Sequence, residues 1–101
     1  MFHFFTKIES ISTAELEKRL KTNIKLLDVR TPAEYSGGHI EGAKNIPLGQ
    51  IGHYSQSKEE KLYVICHSGA RSRLAAAKLR QKGYDVVNIS GGMRSWTGKL
   101  I

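Results

Sequence analysis

Apolar residues along this chain fall in short, nearly continuous runs, and the polar stretches between them carry helical spacing. The runs Lys25–Val29 (KLLDV), Leu62–Ile65 and Asp85–Ile89 (DVVNI) predict buried strands. Phe4–Ile8 and Ala43–Ile46, the latter closed by Pro47, predict two shorter ones. Helices fit between them. Ser12 and Glu15 form an S-x-x-E capping box, and Ile11 is placed to staple onto Leu16, so a first helix runs to about Leu20 or Lys21. Thr31 caps a short second helix with Pro32 in its first turn, and Gly37-Gly38 stops it. In SRLAAAKLRQKG, residues 72–83, Ser72, Ala75, Ala76 and Leu79 share one face of a third helix. Gly83 caps its end, where Lys78, Arg80 and Lys82 suit the negative pole of the dipole. Gly91-Gly92 turns the chain into a last short helix carrying Trp96, and Leu48–Glu60 reads as loop or irregular helix. Strands that alternate with helices and are apolar on both faces predict an α/β fold: a central parallel sheet of about five short strands with helices on both faces. In such sheets ligands bind outside the carboxyl ends of the strands.

A chain of 101 residues is one domain with a single core. Sixteen Lys and Arg against nine Asp and Glu give a net charge of +7, which raises nucleic-acid binding as a possibility. The basic residues are scattered at helical spacing, without interleaved aromatics, so no nucleic-acid partner is expected. A field favouring small anions or an acidic protein is the more economical use of the charge. MFHFFTKIES lacks the basic start and long apolar run of a signal peptide. No run approaches the roughly 20 apolar residues of a membrane span. The expected location is the cytoplasm, with no membrane partner. His3, His39, His53 and His67 lack metal-ligand spacing, and neither a metal nor a cofactor is expected.

Cys66 is the only cysteine, which excludes an intramolecular disulfide and a multi-cysteine zinc site. It stands at the carboxyl end of a predicted strand and faces the start of a helix. Free helix-start N–H groups and the positive end of the dipole stabilise an anion there, and a thiolate is such an anion. Arg71 and Arg73 add positive charge. The competing reading is a small buried hydrophobe. A lone reactive thiol suits a reducing compartment, and any step that resolves it must come from another molecule.

Four motifs occur in order: Asp28-Val29-Arg30 with Glu34-Tyr35; Gly38-His39-Ile40-Glu41-Gly42-Ala43-Lys44-Asn45-Ile46-Pro47; the C-x-x-G-x-R loop Cys66-His67-Ser68-Gly69-Ala70-Arg71; and Gly91-Gly92 with Trp96. In these the chain resembles the rhodanese family of sulfurtransferases, from about Ile11 to Lys99, as a single domain filling residues 1–101. Glu41 stands where many members of that family have proline. The resemblance implies a persulfide enzyme. Cys66 takes a sulfane sulfur from thiosulfate or a persulfide donor and passes it to cyanide, a thiol or a thiol protein, in ping-pong fashion. The backbone from His67 through Ser68, Gly69 and Ala70 to Arg71 can curl into an anion nest, with Gly69 supplying conformations closed to other residues. Ser68 and Ser72 offer hydroxyl donors. Arg71 has two readings, a fork for sulfonate oxygens or a brace for the loop, and it is expected to be the anion partner within a substrate-binding loop of residues 67–72.

Phosphatases with a cysteine nucleophile resemble this arrangement but use C-x5-R, and the shorter loop favours sulfur transfer. The same residues would also serve a relay module with little thiosulfate turnover, and a pure interaction domain is the least favoured role. His67 is either a general acid–base or a solvent-facing ring whose backbone alone matters. Asp28 and Arg30 either form a buried pair bracing the turn below the loop or contact substrate, and bracing is expected because buried charges need partners. His39 is expected to be structural, Tyr35 and Tyr84 to pack, and Trp96 to lie over the core.

Overall fold

The computed structural model describes residues 8–101. Five strands form one sheet: β1 (Glu9–Ile11), β2 (Lys25–Asp28), β3 (Lys44–Asn45), β4 (Leu62–Ile65) and β5 (Val86–Ile89). All neighbours are parallel, in the order β1-β5-β4-β2-β3. The helices are α1 (Thr13–Arg19), α2 (Pro32–Ser36), α3 (Ala70–Gln81) and α4 (Gly92–Ser95), with a 3-10 helix at Leu48–His53.

Because strand side chains alternate in direction, each apolar run divides between two cores. Leu27, Leu62, Val64 and Val86 pack with Ala75, Ala76 and Leu79 of α3 and Ile51 of the 3-10 helix. Leu26, Tyr63, Ile65, Val87 and Ile89 pack on the other face with Leu16 of α1, and Tyr35, Met93 and Trp96 join them there. The sheet is therefore covered on both sides, as the unbroken apolar runs require.

Strand β2 leads through α2 toward one edge of the sheet, and β4 leads through α3 toward the other. The adjacent carboxyl ends of β2 and β4 thus form the switch point at which α/β sheets bind ligands. Asp28 and Ile65 are partners in register there, and the Val29 N–H continues the ladder to the Ile65 carbonyl at 2.9 Å.

Several expected boundaries shift. Of the strand expected over Phe4–Ile8, residues 4–7 lie outside the described residues; Ile8 is irregular and β1 occupies Glu9–Ile11. The Ser12 cap is only half a box: Ser12 Oγ accepts the Glu15 N–H at 3.1 Å, while the Glu15 carboxylate takes Arg19 Nε at 3.0 Å, one helical turn on. The full capping box is at α2, where Thr31 and Glu34 each accept the other's backbone N–H. Helix α3 starts at Ala70, two residues before the predicted start, so Arg71 and Ser72 belong to its first turn. Its end closes as a Schellman motif, with Gly83 N–H on the Arg80 carbonyl and Tyr84 N–H on that of Leu79. The chain from 48 to 53 is a 3-10 helix.

Candidate active site

Cys66 follows β4 and is 1% exposed. The chain then bends so sharply that Gly69 takes φ +108°, a conformation side-chain-bearing residues rarely adopt, and serves as the N-cap of α3. The bend aims the Gly69 N–H at Cys66 Sγ, 3.0 Å away. Ser72, fully buried on the first turn of α3, brings its hydroxyl to 3.5 Å from the same sulfur. Burial pushes the Cys66 thiol pKa up, but the Ser72 hydroxyl and the backbone N–H groups of Ser72, Gly69 and Ser68 outweigh it. The net result is a pKa below the ordinary thiol value. Backbone donors and one hydroxyl are the main causes of the lowering, and Arg71 interacts with the sulfur only through its charge.

Arg71 spans the switch point. Its Nη1 and Nη2 donate to Glu34 Oε1 and Oε2 of α2 at 2.7 and 2.9 Å, a bidentate pair. The pair holds the Glu34 carboxyl down at about 2, mainly through the Arg71 hydrogen bonds, and raises Arg71. Both terminal nitrogens of the guanidinium are thus engaged by protein. Glu34 is a site neighbour missed from the sequence, although its T-x-x-E spacing marks it as a helix-cap residue.

Asp28 and Arg30 do form a buried pair. Arg30 Nε and Nη2 donate to the Asp28 carboxylate at 2.9 and 2.8 Å, and Nη2 also donates to the Gly38 carbonyl. Asn45 Nδ2 ties the backbone carbonyls of Asp28 and Arg30 together, each at 2.9 Å. His67, Ser68 and Ala70 are exposed around the loop.

The Gly91-Gly92 motif closes the site from beneath. The N–H groups of Met93 and Arg94 donate to the carbonyls of Cys66 and His67 at 2.8 and 2.9 Å. A Cβ on Gly92 would collide with the Cys66 carbonyl oxygen and come within 2.6 Å of that of His67. Only a glycine lets α4 approach the loop this closely. His39 is stacked on Tyr35 with ring centroids 3.7 Å apart, and its backbone pairs with that of Ile101. Trp96 packs on the core and donates to the Lys99 carbonyl.

A second missed residue, this one buried, gives no signal in the sequence. Asn88, in the otherwise apolar β5, is fully buried, and its Oδ1 accepts a short hydrogen bond from Ser72 Oγ. Among the described residues no three His, Cys, Asp or Glu side chains are grouped to hold a metal ion, and no helix is long and apolar enough to cross a membrane.

The family model for the rhodanese-like domain matches residues 12–99. A thiosulfate sulfurtransferase of Pseudoalteromonas translucida, GlpE, is 33% identical over 85% of this chain and 86% of its own length. A sulfurtransferase of Allochromatium vinosum is 36% identical over 88% of each. The chain spans only 54% and 63% of two Bacillus subtilis relatives, YrkF and YqhL. The crystal structure of a rhodanese-like domain protein from Staphylococcus aureus superposes with a TM-score of 0.87 at 36% identity, covering 93% of this chain and 97% of that one. A five-stranded parallel sheet, a C-x-x-G-x-R loop at its switch point and the match over residues 12–99 together place this chain in the rhodanese-like domain family.

Proposed function

We propose that this protein is a sulfurtransferase that carries a sulfane sulfur on Cys66. The observation that carries the reading is the ring of donors on a buried sulfur: the Gly69 N–H at 3.0 Å, the Ser72 hydroxyl at 3.5 Å, and further N–H groups of Ser68 and Ser72. Such a ring favours a thiolate, and it equally suits the larger, more diffuse persulfide anion. Each charge-assisted hydrogen bond contributes roughly 1.5–3 kcal/mol. The curated relatives named as sulfurtransferases support the same chemistry.

In the loading step the Cys66 thiolate attacks the outer sulfur of thiosulfate. A new S–S bond forms, the S–S bond of thiosulfate breaks, and sulfite leaves with the bonding pair. In the second step cyanide or a thiolate attacks the outer sulfur of Cys66–S–S⁻ and returns the Cys66 thiolate. No proton moves in either step when both nucleophiles arrive ionised, so His67 acts through its backbone. Gly69 and Ala70 shape the loop and Ser68 supplies a backbone donor. Arg71 braces the loop against Glu34, and the Asp28–Arg30 pair supports the turn beneath it. A thiol that is 1% exposed suits a small anionic donor, and a single transferred atom needs little room.

A relay role, with a protein persulfide as donor and a thiol protein as acceptor, uses the same cradle. YrkF, provisionally called a sulfur carrier protein, favours that variant. The test is intact mass after incubation with thiosulfate, for the native chain and Cys66→Ser. Gain of one sulfur atom by the native chain alone is expected. A native chain that gains none from thiosulfate but does from a persulfide donor selects the relay. No gain from either, or turnover of an aryl phosphate that Cys66→Ser abolishes, overturns the proposal.

A further inference from the structure

Behind Cys66 lies a line of polar side chains that crosses an otherwise apolar core. Cys66 Sγ is 3.5 Å from Ser72 Oγ, Ser72 Oγ donates to Asn88 Oδ1, and Asn88 Nδ2 donates to Ser10 Oγ at 3.4 Å. Cys66, Ser72 and Asn88 are each no more than 1% exposed, whereas Ser10 on β1 is exposed. In this order the line suits the neutral thiol: S–H points to Ser72, Ser72 O–H to Asn88, and the Asn88 amide N–H to Ser10.

The thiolate cannot keep this order. It has no hydrogen to give, so Ser72 must turn its only hydroxyl hydrogen toward the sulfur. That would leave Ser72 Oγ facing Asn88 Oδ1, two buried acceptors at hydrogen-bond distance with nothing between them. Half a turn of the Asn88 amide resolves the clash. Nδ2 then donates to Ser72 Oγ, and Oδ1 accepts from the hydroxyl of Ser10, which serves equally well as donor or acceptor. The Gly69 carbonyl, 3.1 Å from Ser72 Oγ, loses nothing essential, because it also accepts the Arg73 N–H at 3.2 Å. Every member is hydrogen-bonded in both directions of the line, and leucine or valine at position 88 would permit neither.

We infer that the Cys66–Ser72–Asn88–Ser10 line reverses direction when the thiol ionises, with Asn88 as the positioning residue that aims the Ser72 hydroxyl at the sulfur. It acts on the reacting atom only through Ser72. The inference rests on the Cys66 nucleophile proposed above.

Charged groups also lie near the loop. Glu34–Arg71 and Asp28–Arg30 are paired, His67, Arg73 and Arg94 are exposed, and the Glu9–Lys61 pair flanks Ser10. None of these bonds to Ser72 or Asn88 through a side chain, so their fields act on Asn88 whether or not Ser72 is present.

The experiment is a pH titration of the ¹⁵N-labelled full chain, following the Asn88 side-chain amide by NMR and the thiolate by its ultraviolet absorbance. The Asn88 signals are expected to shift with the same midpoint as Cys66. The shift should vanish in Cys66→Ser, which has no thiol to titrate. It should also vanish in Ser72→Ala, where the thiol still ionises but the line is cut. An Asn88 signal that stays still through a clear thiolate step overturns the inference and leaves sulfur transfer standing. A shift of undiminished size in Ser72→Ala overturns it as well, since a field and not the hydroxyl would then be responsible. Absence of any thiolate step in the native chain defeats the nucleophile reading and this inference with it.

Discussion

Glu34 and Arg71, thirty-seven positions apart, meet in a two-pronged ion pair at 2.7 and 2.9 Å that ties α2 to α3 across the switch point. The helices leave the sheet toward opposite edges, and this pair joins them at the mouth of the loop. Glu34→Gln keeps the helix cap, since glutamine also serves the box, and removes the ion pair. With both side chains about a third exposed, the expected stability cost is small, about 0.5–1 kcal/mol. The expected loss in sulfur loading is larger in proportion, because Arg71 is released within the loop that holds Cys66. Urea denaturation and a loading assay on the same preparation separate the two effects.

The pair also has a pH signature. Folding holds the Glu34 carboxyl at about 2 against an ordinary 4.5. A carboxyl depressed by folding contributes its full stability above the unfolded value and loses it as the pH falls from about 4.5 toward 2. The stability difference between native chain and Glu34→Gln should therefore hold steady from neutral pH down to that window and shrink within it. Denaturation curves at a series of acid pH values provide the check. A difference that stays constant to the bottom of the window contradicts it.

Ser72→Ala removes the largest of the groups that lower the Cys66 pKa and leaves the burial that raises it. The thiol of the variant should titrate at higher pH than that of the native chain, and sulfur loading at neutral pH should slow accordingly. Ultraviolet titration of the thiolate measures the first and a stopped loading assay the second.

Removing one member of the Asp28–Arg30 pair strands the other charge in a site that is 0–8% exposed. Asp28→Ala should cost about 3–5 kcal/mol, while leaving the preference among sulfur donors unchanged. A variant with native thermal stability and altered donor preference would move Asp28 from support to substrate contact.

Gly92→Ala forces a methyl group against the Cys66 and His67 carbonyls. Overpacking of this kind costs about 1–3 kcal/mol, and the positive φ of +59° adds strain. Loading should fall more than at a control such as Gly49→Ala, where an added Cβ meets nothing within 4 Å. Thermal denaturation with the loading assay tests both statements.

Much of this architecture is legible along the chain, for reasons local to each segment. LYVI and the helix face Ser72, Ala75, Ala76 and Leu79 are readable because period and burial agree there. The loop is readable because glycine at 69 serves a backbone need. Other features depend on distant partners. Glu15 has the spacing of a cap residue, but Arg19 one turn on takes its carboxylate. Arg71 keeps two readings in the sequence because its partner lies on another helix and no periodicity joins positions 34 and 71. Asn88 is absorbed into DVVNI, where one polar residue among apolar neighbours gives no hint that its amide lies behind Cys66. The start of α3 is predicted late because Ala70 and Arg71 look like loop until Gly69 is seen to cap the helix.

The grip of α4 on the Cys66 loop has a consequence for synthesis. The carbonyls of Cys66 and His67 find their donors on Met93 and Arg94, and β1, at the edge of the described sheet, pairs with β5. A nascent chain that has emerged through Gln81 therefore holds the cysteine but neither the clamp beneath it nor the strand that carries Asn88. Ser68, Gly69 and Ser72, whose groups lower the Cys66 pKa, are already present in it, but the elements that hold them in place are not. The setting of the cysteine is thus completed by segments made after α3, well after Cys66 itself.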